Sequence, residues 1–105
     1  MVHLFQEKEF TEKGGFRELS TVVEFFSPTC GPCRQLSIVL EEISEQYPDV
    51  LFTAVDITTN CGLTAFYDIC SVPTLLFLKQ GDIRDRLTGM SHPMVIKEGI
   101  RKITV

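Results

Sequence analysis

The chain has 105 residues, 44% of them apolar and 23% charged, with a net charge of −4. This is the size of a single domain (residues 1–105) of ordinary soluble composition, and its acidic balance argues against nucleic acid, for which a basic patch is expected. No apolar run approaches the roughly 20 residues of a membrane span. The opening residues 1–7 lack a basic start and turn acidic at once, unlike a secretion signal. A reducing, cytoplasmic setting is therefore expected, where four cysteines read as thiols and a redox pair rather than a disulfide framework.

Residues 2–5 read as a short first strand. Residues 10–20 carry Phe10, Phe16 and Leu19 among Glu and Lys and read as a helix, with Gly14-Gly15 inside it costing roughly 1 kcal/mol each relative to alanine. Thr21-Val22-Val23-Glu24-Phe25-Phe26 is apolar on both faces, hence a central strand covered on both sides. Glu24 is its anomaly. Alternation puts it on one face with Val22 and Phe26, where desolvation raises a carboxyl pKa. Residues 32–47 form the strongest helical pattern, with Leu36, Val39, Leu40, Ile43 and Tyr47 inward, and Pro48-Asp49 ends it.

Residues 51–57 read as a strand. Residues 60–67 suggest a short helix burying Leu63, Phe66 and Ile69, with Cys61 and Cys70 around it as packed thiols. Ser71-Val72-Pro73-Thr74 opens a strand over 74–78. Lys79-Gln80-Gly81-Asp82 is a hairpin turn with Gly where φ is positive, and residues 83–88 return antiparallel. Gly89-Met90 breaks that strand. His92-Pro93 leads into a final helix over 94–103, with Val95, Ile96, Gly99, Ile100 and Ile103 near one stripe. The order β-α-β-α-β-α-β-β-α describes an α/β fold. Its sheet is mixed, parallel through the βαβ units and antiparallel at the terminal hairpin, with helices on both faces.

The chemistry concentrates in Ser27-Pro28-Thr29-Cys30-Gly31-Pro32-Cys33-Arg34, at the junction of the central strand and the long helix. Free backbone N–H groups and the positive end of the helix dipole favour an anion there, and a thiolate is an anion. The Cys30 thiol should fall from about 8.5 into the roughly 3.5–7.5 range of such sites. Cys33, Leu36, Leu40, Ile43 and Tyr47 are spaced as one helix face, so Cys33 belongs to the buried stripe. Cys30 is then the nucleophile and Cys33 the resolving thiol that displaces the reduced product. Pro32 suits the first helical position, where its missing N–H has no partner to lose. Gly31 leaves the space beside Cys30 open. Glu24, just upstream, reads as a buried base for the Cys33 proton, the alternative being an edge-strand Glu turned to solvent. A four-thiolate zinc site would need a second C-x-x-C, which Cys61 and Cys70 do not make. A purely structural bridge closing four residues would restrain the unfolded chain very little.

The set Cys30-Gly31-Pro32-Cys33, Val72-Pro73-Thr74, Lys79-Gln80-Gly81-Asp82 and Gly89, in this order, resembles the thioredoxin family over nearly the whole chain. Thioredoxins are among the C-x-x-C proteins that define the lowered thiol range, so that range is not independent support. The resemblance implies the thioredoxin fold, a central mixed five-stranded sheet flanked by four helices. It also implies a cis Pro73 beside the Cys pair, with the Val72 main chain meeting an extended substrate by strand addition. Gly31, Pro32, Val72, Gly89 and Met90 would form an apolar patch around Cys30, bordered by Thr29. Three positions depart from the family pattern: Thr29 stands where Trp is usual, Glu24 where Asp is usual, and Ile38 roughly where a helix-kinking Pro is usual.

The implied function is reduction of protein disulfides by a dithiol–disulfide pair. No bound organic cofactor is implied. Electrons would come from NADPH through a flavoprotein thioredoxin reductase and pass to disulfide-containing proteins such as thiol peroxidases, with the chain acting as a monomer. Two rivals are a disulfide oxidant or isomerase of the same fold, to be separated by reduction potential, and a non-catalytic interaction module.

Overall fold

Seven residues, Ser20–Phe26, form the strand around which the molecule is built; the first six are buried on both faces. The computed structural model describes residues 1–13, 15–16 and 18–105, without the side chains of residues 11–13. Its elements are β1 (Val2–Leu4), α1 (Glu7–Lys13), β2 (Ser20–Phe26), α2 (Gly31–Ser44), β3 (Leu51–Asp56), α3 (Cys61–Phe66), β4 (Thr74–Lys79), β5 (Asp82–Thr88) and α4 (Pro93–Thr104). The element order and the mixed five-stranded sheet with four helices match the expectation. The sheet runs β1-β3-β2-β4-β5, with β2 at its centre.

The strand directions correct one detail of the sequence reading. β1, β3 and β2 are parallel, but β4 runs antiparallel to β2, and β5 antiparallel to β4. The β3-α3-β4 segment is therefore not a parallel βαβ unit. β4 starts at the end of the sheet where β3 stopped: Phe26 pairs with Asp56 and Phe25 with Thr74.

Alternation along the strands sorts the core into two layers. Val22, Phe52, Leu75 and Phe77 meet Leu36, Leu40 and Ile43 of α2 and Ile96, Ile100 and Ile103 of α4. On the opposite face Val23, Phe25, Val55, Leu76 and Leu78 pack with Phe5, Phe16, Leu63 and Tyr67. Each such side chain contributes about 1.5–3 kcal/mol by leaving water. Gly99 of α4 lies directly over the Phe77 ring, where an added Cβ would come within 2.7 Å.

Four boundaries and faces differ from expectation. The first helix spans Glu7–Lys13 rather than residues 10–20. Glu7 and Glu9 in its first turn suit the positive end of the dipole. Gly15, at φ +107°, donates its N–H to the Phe10 carbonyl and closes the helix; Gly14 lies outside the described residues. The glycine read as interior is thus a terminator. In α2 the helix stops at Ser44, and turns through Gln46 and Tyr47 satisfy the last carbonyls. In α3, Leu63 is buried but Phe66 is 68% exposed; Tyr67, four residues on from Leu63, takes the inward place. In α4, Val95 is exposed and Ile96, Gly99, Ile100 and Ile103 carry the stripe.

Candidate active site

The β2-α2 junction, the segment before β4 and the segment after β5 all lie at one end of the sheet, because Thr74 pairs with both Phe25 and Thr88. There Cys30 is the N-cap of α2, with extended backbone (φ −89°, ψ 109°), and its Sγ accepts the Cys33 N–H at 3.2 Å. The sulfur does the work that a Ser or Asp oxygen does at other N-caps. Cys30 and Cys33 are joined as a disulfide, with Cα atoms 5.3 Å apart. Cys30 is half-buried and Cys33 is 2% exposed. Pro32 sits in the first turn. Thr29, Gly31 and Pro32 are exposed, and a side chain at Gly31 would meet nothing within 4 Å.

The Val72–Pro73 peptide is cis. Pro73 is buried, and its carbonyl accepts the Gly89 N–H at 2.8 Å. This bond ties the loop before β4 to the chain leaving β5. Gly89 adopts φ +84°, a conformation that favours glycine. Val72 is half-buried and Met90 is 48% exposed.

Glu24 is fully buried in β2, between Ala54 of β3 and Leu75 of β4. Burial pushes its pKa up from 4.5 to about 7, against a smaller lowering by a hydrogen bond from Ser37. The Ser37 Oγ lies 2.9 Å and 3.2 Å from the two carboxyl oxygens and 2.9 Å from the Cys33 carbonyl oxygen. Sequence reading passed over Ser37. Its one signal is its position four residues after Cys33, on the same helix side.

Cys61 and Cys70 are not the packed thiols expected: both are free and exposed. Cys61 opens α3 and Cys70 follows it, so neither lies on the inward side of that short helix. Among the described residues, no three His, Cys, Asp or Glu side chains gather to hold a metal ion.

A sequence description of the thioredoxin family matches residues 1–102. The chain belongs to the thioredoxin family. It is 35% identical over 79 residues to thioredoxin-2 of Saccharomyces cerevisiae, covering 75% of each chain. It is 34% identical over 77 residues to thioredoxin H4-1 of Oryza sativa, covering 73% of this chain and 59% of the rice protein. The structure superposes on the thioredoxin of Fasciola hepatica with a TM-score of 0.78 at 32% identity, covering 93% of this chain and 90% of that one. Family membership and a cysteine pair closed into a disulfide at the thioredoxin motif make this chain a thiol–disulfide oxidoreductase.

Proposed function

We propose that this member of the thioredoxin family reduces protein disulfides with Cys30 as nucleophile, Cys33 as resolving thiol and Glu24 as proton carrier. The Cys30 thiolate attacks one sulfur of a substrate disulfide. The other substrate sulfur leaves as a thiolate and takes a proton from water. Glu24 then accepts the S–H proton of Cys33. The Cys33 thiolate attacks Cys30 Sγ, closes the disulfide and releases the second substrate thiolate, to which the Glu24 proton returns. Two electrons pass to the substrate. Substrate would lie across Thr29, Gly31, Pro32, Val72, Pro73, Gly89 and Met90, with the Val72 main chain as its strand-like partner. A flavin- and NADPH-dependent thioredoxin reductase would restore the dithiol, and thiol peroxidases are candidate substrates. The setting would be the cytoplasm and the working form a monomer.

The observation that carries this division of labour is the Cys33 N–H aimed at the Cys30 sulfur while Cys33 itself is buried. The N–H stabilises negative charge on Cys30 and the burial withholds attack by Cys33 until a mixed disulfide forms. The test is turnover of a protein disulfide with a chemical reductant in excess. Cys30→Ser should abolish reduction, and Cys33→Ser should accumulate a mixed disulfide through Cys30. Undiminished turnover by Cys30→Ser would refute the nucleophile assignment.

A further inference from the structure

Ser37 links the Glu24 carboxyl to the main chain of Cys33. Its Oγ is 2.9 Å from Glu24 Oε1 and 2.9 Å from the Cys33 carbonyl oxygen. A serine hydroxyl carries one proton and two acceptor lone pairs, so it cannot donate to both neighbours at once. An ionised Glu24 can only accept, and a charge-assisted hydrogen bond is roughly twice as strong as a neutral one. The Ser37 O–H then turns to the carboxylate. A protonated Glu24 instead donates its own O–H to Ser37 Oγ, and Ser37 donates to the Cys33 carbonyl. Both protonation states are hydrogen-bonded with no heavy atom displaced.

We infer that Ser37 is a positioning residue of the exchange reaction: its hydroxyl reverses direction with the protonation of Glu24 and keeps the carboxyl hydrogen-bonded to α2 in both states. This rests on the reading of Glu24 as proton carrier. The surroundings leave this task to Ser37. Ala54 and Leu75 flank Glu24 on the sheet, and α4 turns Ile96 and Ile100 to the same core layer. Lys97, Glu98, Arg101 and Lys102 lie off that buried stripe. Asp56, two residues past Ala54, has its Oδ1 engaged by the Thr58 N–H and hydroxyl. On α2, Arg34, Glu41 and Glu42 are exposed, off the buried stripe that carries Cys33. The bond from Ser37 also opposes the effect of burial on Glu24.

The experiment follows the release of a disulfide-bonded peptide from its Cys30 mixed disulfide, by rapid mixing across pH 5–9. The proteins compared are the reduced wild type, Ser37→Ala, Ser37→Thr and Glu24→Gln. Release by the wild type should rise with pH as Glu24 ionises. Ser37→Ala removes the partner of the ionised carboxylate, so its midpoint should move up by roughly one pH unit, a tenfold change in the acid equilibrium. Ser37→Thr restores the hydroxyl and should restore the profile, a rescue that a packing role alone would not give. A Ser37→Ala profile matching the wild type, while Glu24→Gln alters it, overturns the role of Ser37 alone. Equal impairment in Ser37→Ala and Ser37→Thr overturns it too. A wild-type profile in Glu24→Gln removes the Glu24 reading and this inference with it.

Discussion

The Cys33 backbone N–H donates to Cys30 Sγ at 3.2 Å, so the two cysteines of one short motif hold opposite positions. One sulfur is a helix cap at the surface, and the other is in the core one turn further along. Helix α2 creates the difference. Its apolar stripe of Leu36, Leu40 and Ile43 fixes which side faces the sheet, and Cys33 lies on that side. The cap must then fall outside the packed face. The asymmetry is a consequence of helix periodicity and needs no further device.

Burial of Glu24 makes stability depend on pH. Its folded pKa, about 7, lies above its ordinary value of 4.5. The native state therefore binds more protons than the unfolded state between these values, and stability falls as pH rises through that window. The contribution is fully present below about pH 4.5 and lost above about pH 7, a span of about 3 kcal/mol at 1.36 kcal/mol per unit. Glu24→Gln keeps a hydrogen-bonding side chain without the charge. Urea denaturation of the oxidised protein should show the variant more stable at pH 8, by up to about 3 kcal/mol, with little difference at pH 4. A gap of the same size at both pH values would show that Glu24 does not titrate in this window.

Gly99 carries a packing demand rather than a conformational one. A Cβ there would sit 2.7 Å from Phe77 Cε2 and Cζ, inside the core layer that supports α2. Alanine favours a helix by about 1 kcal/mol over glycine, but overpacking costs roughly 1–3 kcal/mol. Gly99→Ala should lose about 1 kcal/mol in denaturant unfolding despite its better helix propensity. In a Phe77→Leu background, Gly99→Ala should cost much less than it does beside Phe77. A Gly99→Ala protein more stable than wild type would mean that α4 sits further from the sheet than described.

The exposure of Cys61 and Cys70 has a direct consequence. In the oxidised native protein both thiols should react with a disulfide reagent, giving two equivalents without denaturant. Fewer than two equivalents before unfolding would place at least one of them in the core.

Much of this architecture is legible in the residues themselves. The apolar run of β2, the stripe of α2 and the spacing of Cys30 and Cys33 are periodic signals, and the burial of Glu24 follows from its neighbours on the same strand face. What was not legible depends on contacts between distant segments. The direction of β4 is set by its antiparallel pairing with β2, a contact between segments distant in the chain. The end of α1 turns on Gly15 adopting a left-handed cap rather than a helical conformation. Phe66 and Tyr67 are adjacent apolar residues, and only the position of α3 decides that Tyr67 goes inward. Ser37 is a half-buried polar residue at the stripe's edge, and its meaning appears only when α2 is laid over β2.

The most direct test of the account is peptide-resolved alkylation of the reduced protein by iodoacetamide between pH 5 and 10. Cys30 should label first, with a midpoint below the roughly 8.5 of free cysteine and within the roughly 3.5–7.5 range of helix-tip thiols, a range whose examples include thioredoxins. Cys33 should stay largely unlabelled at neutral pH, and the exposed Cys61 and Cys70 should label without denaturant. Labelling of Cys30 and Cys33 at equal rates, neither faster than Cys61, would contradict the assignment of an ionised tip sulfur backed by a shielded one.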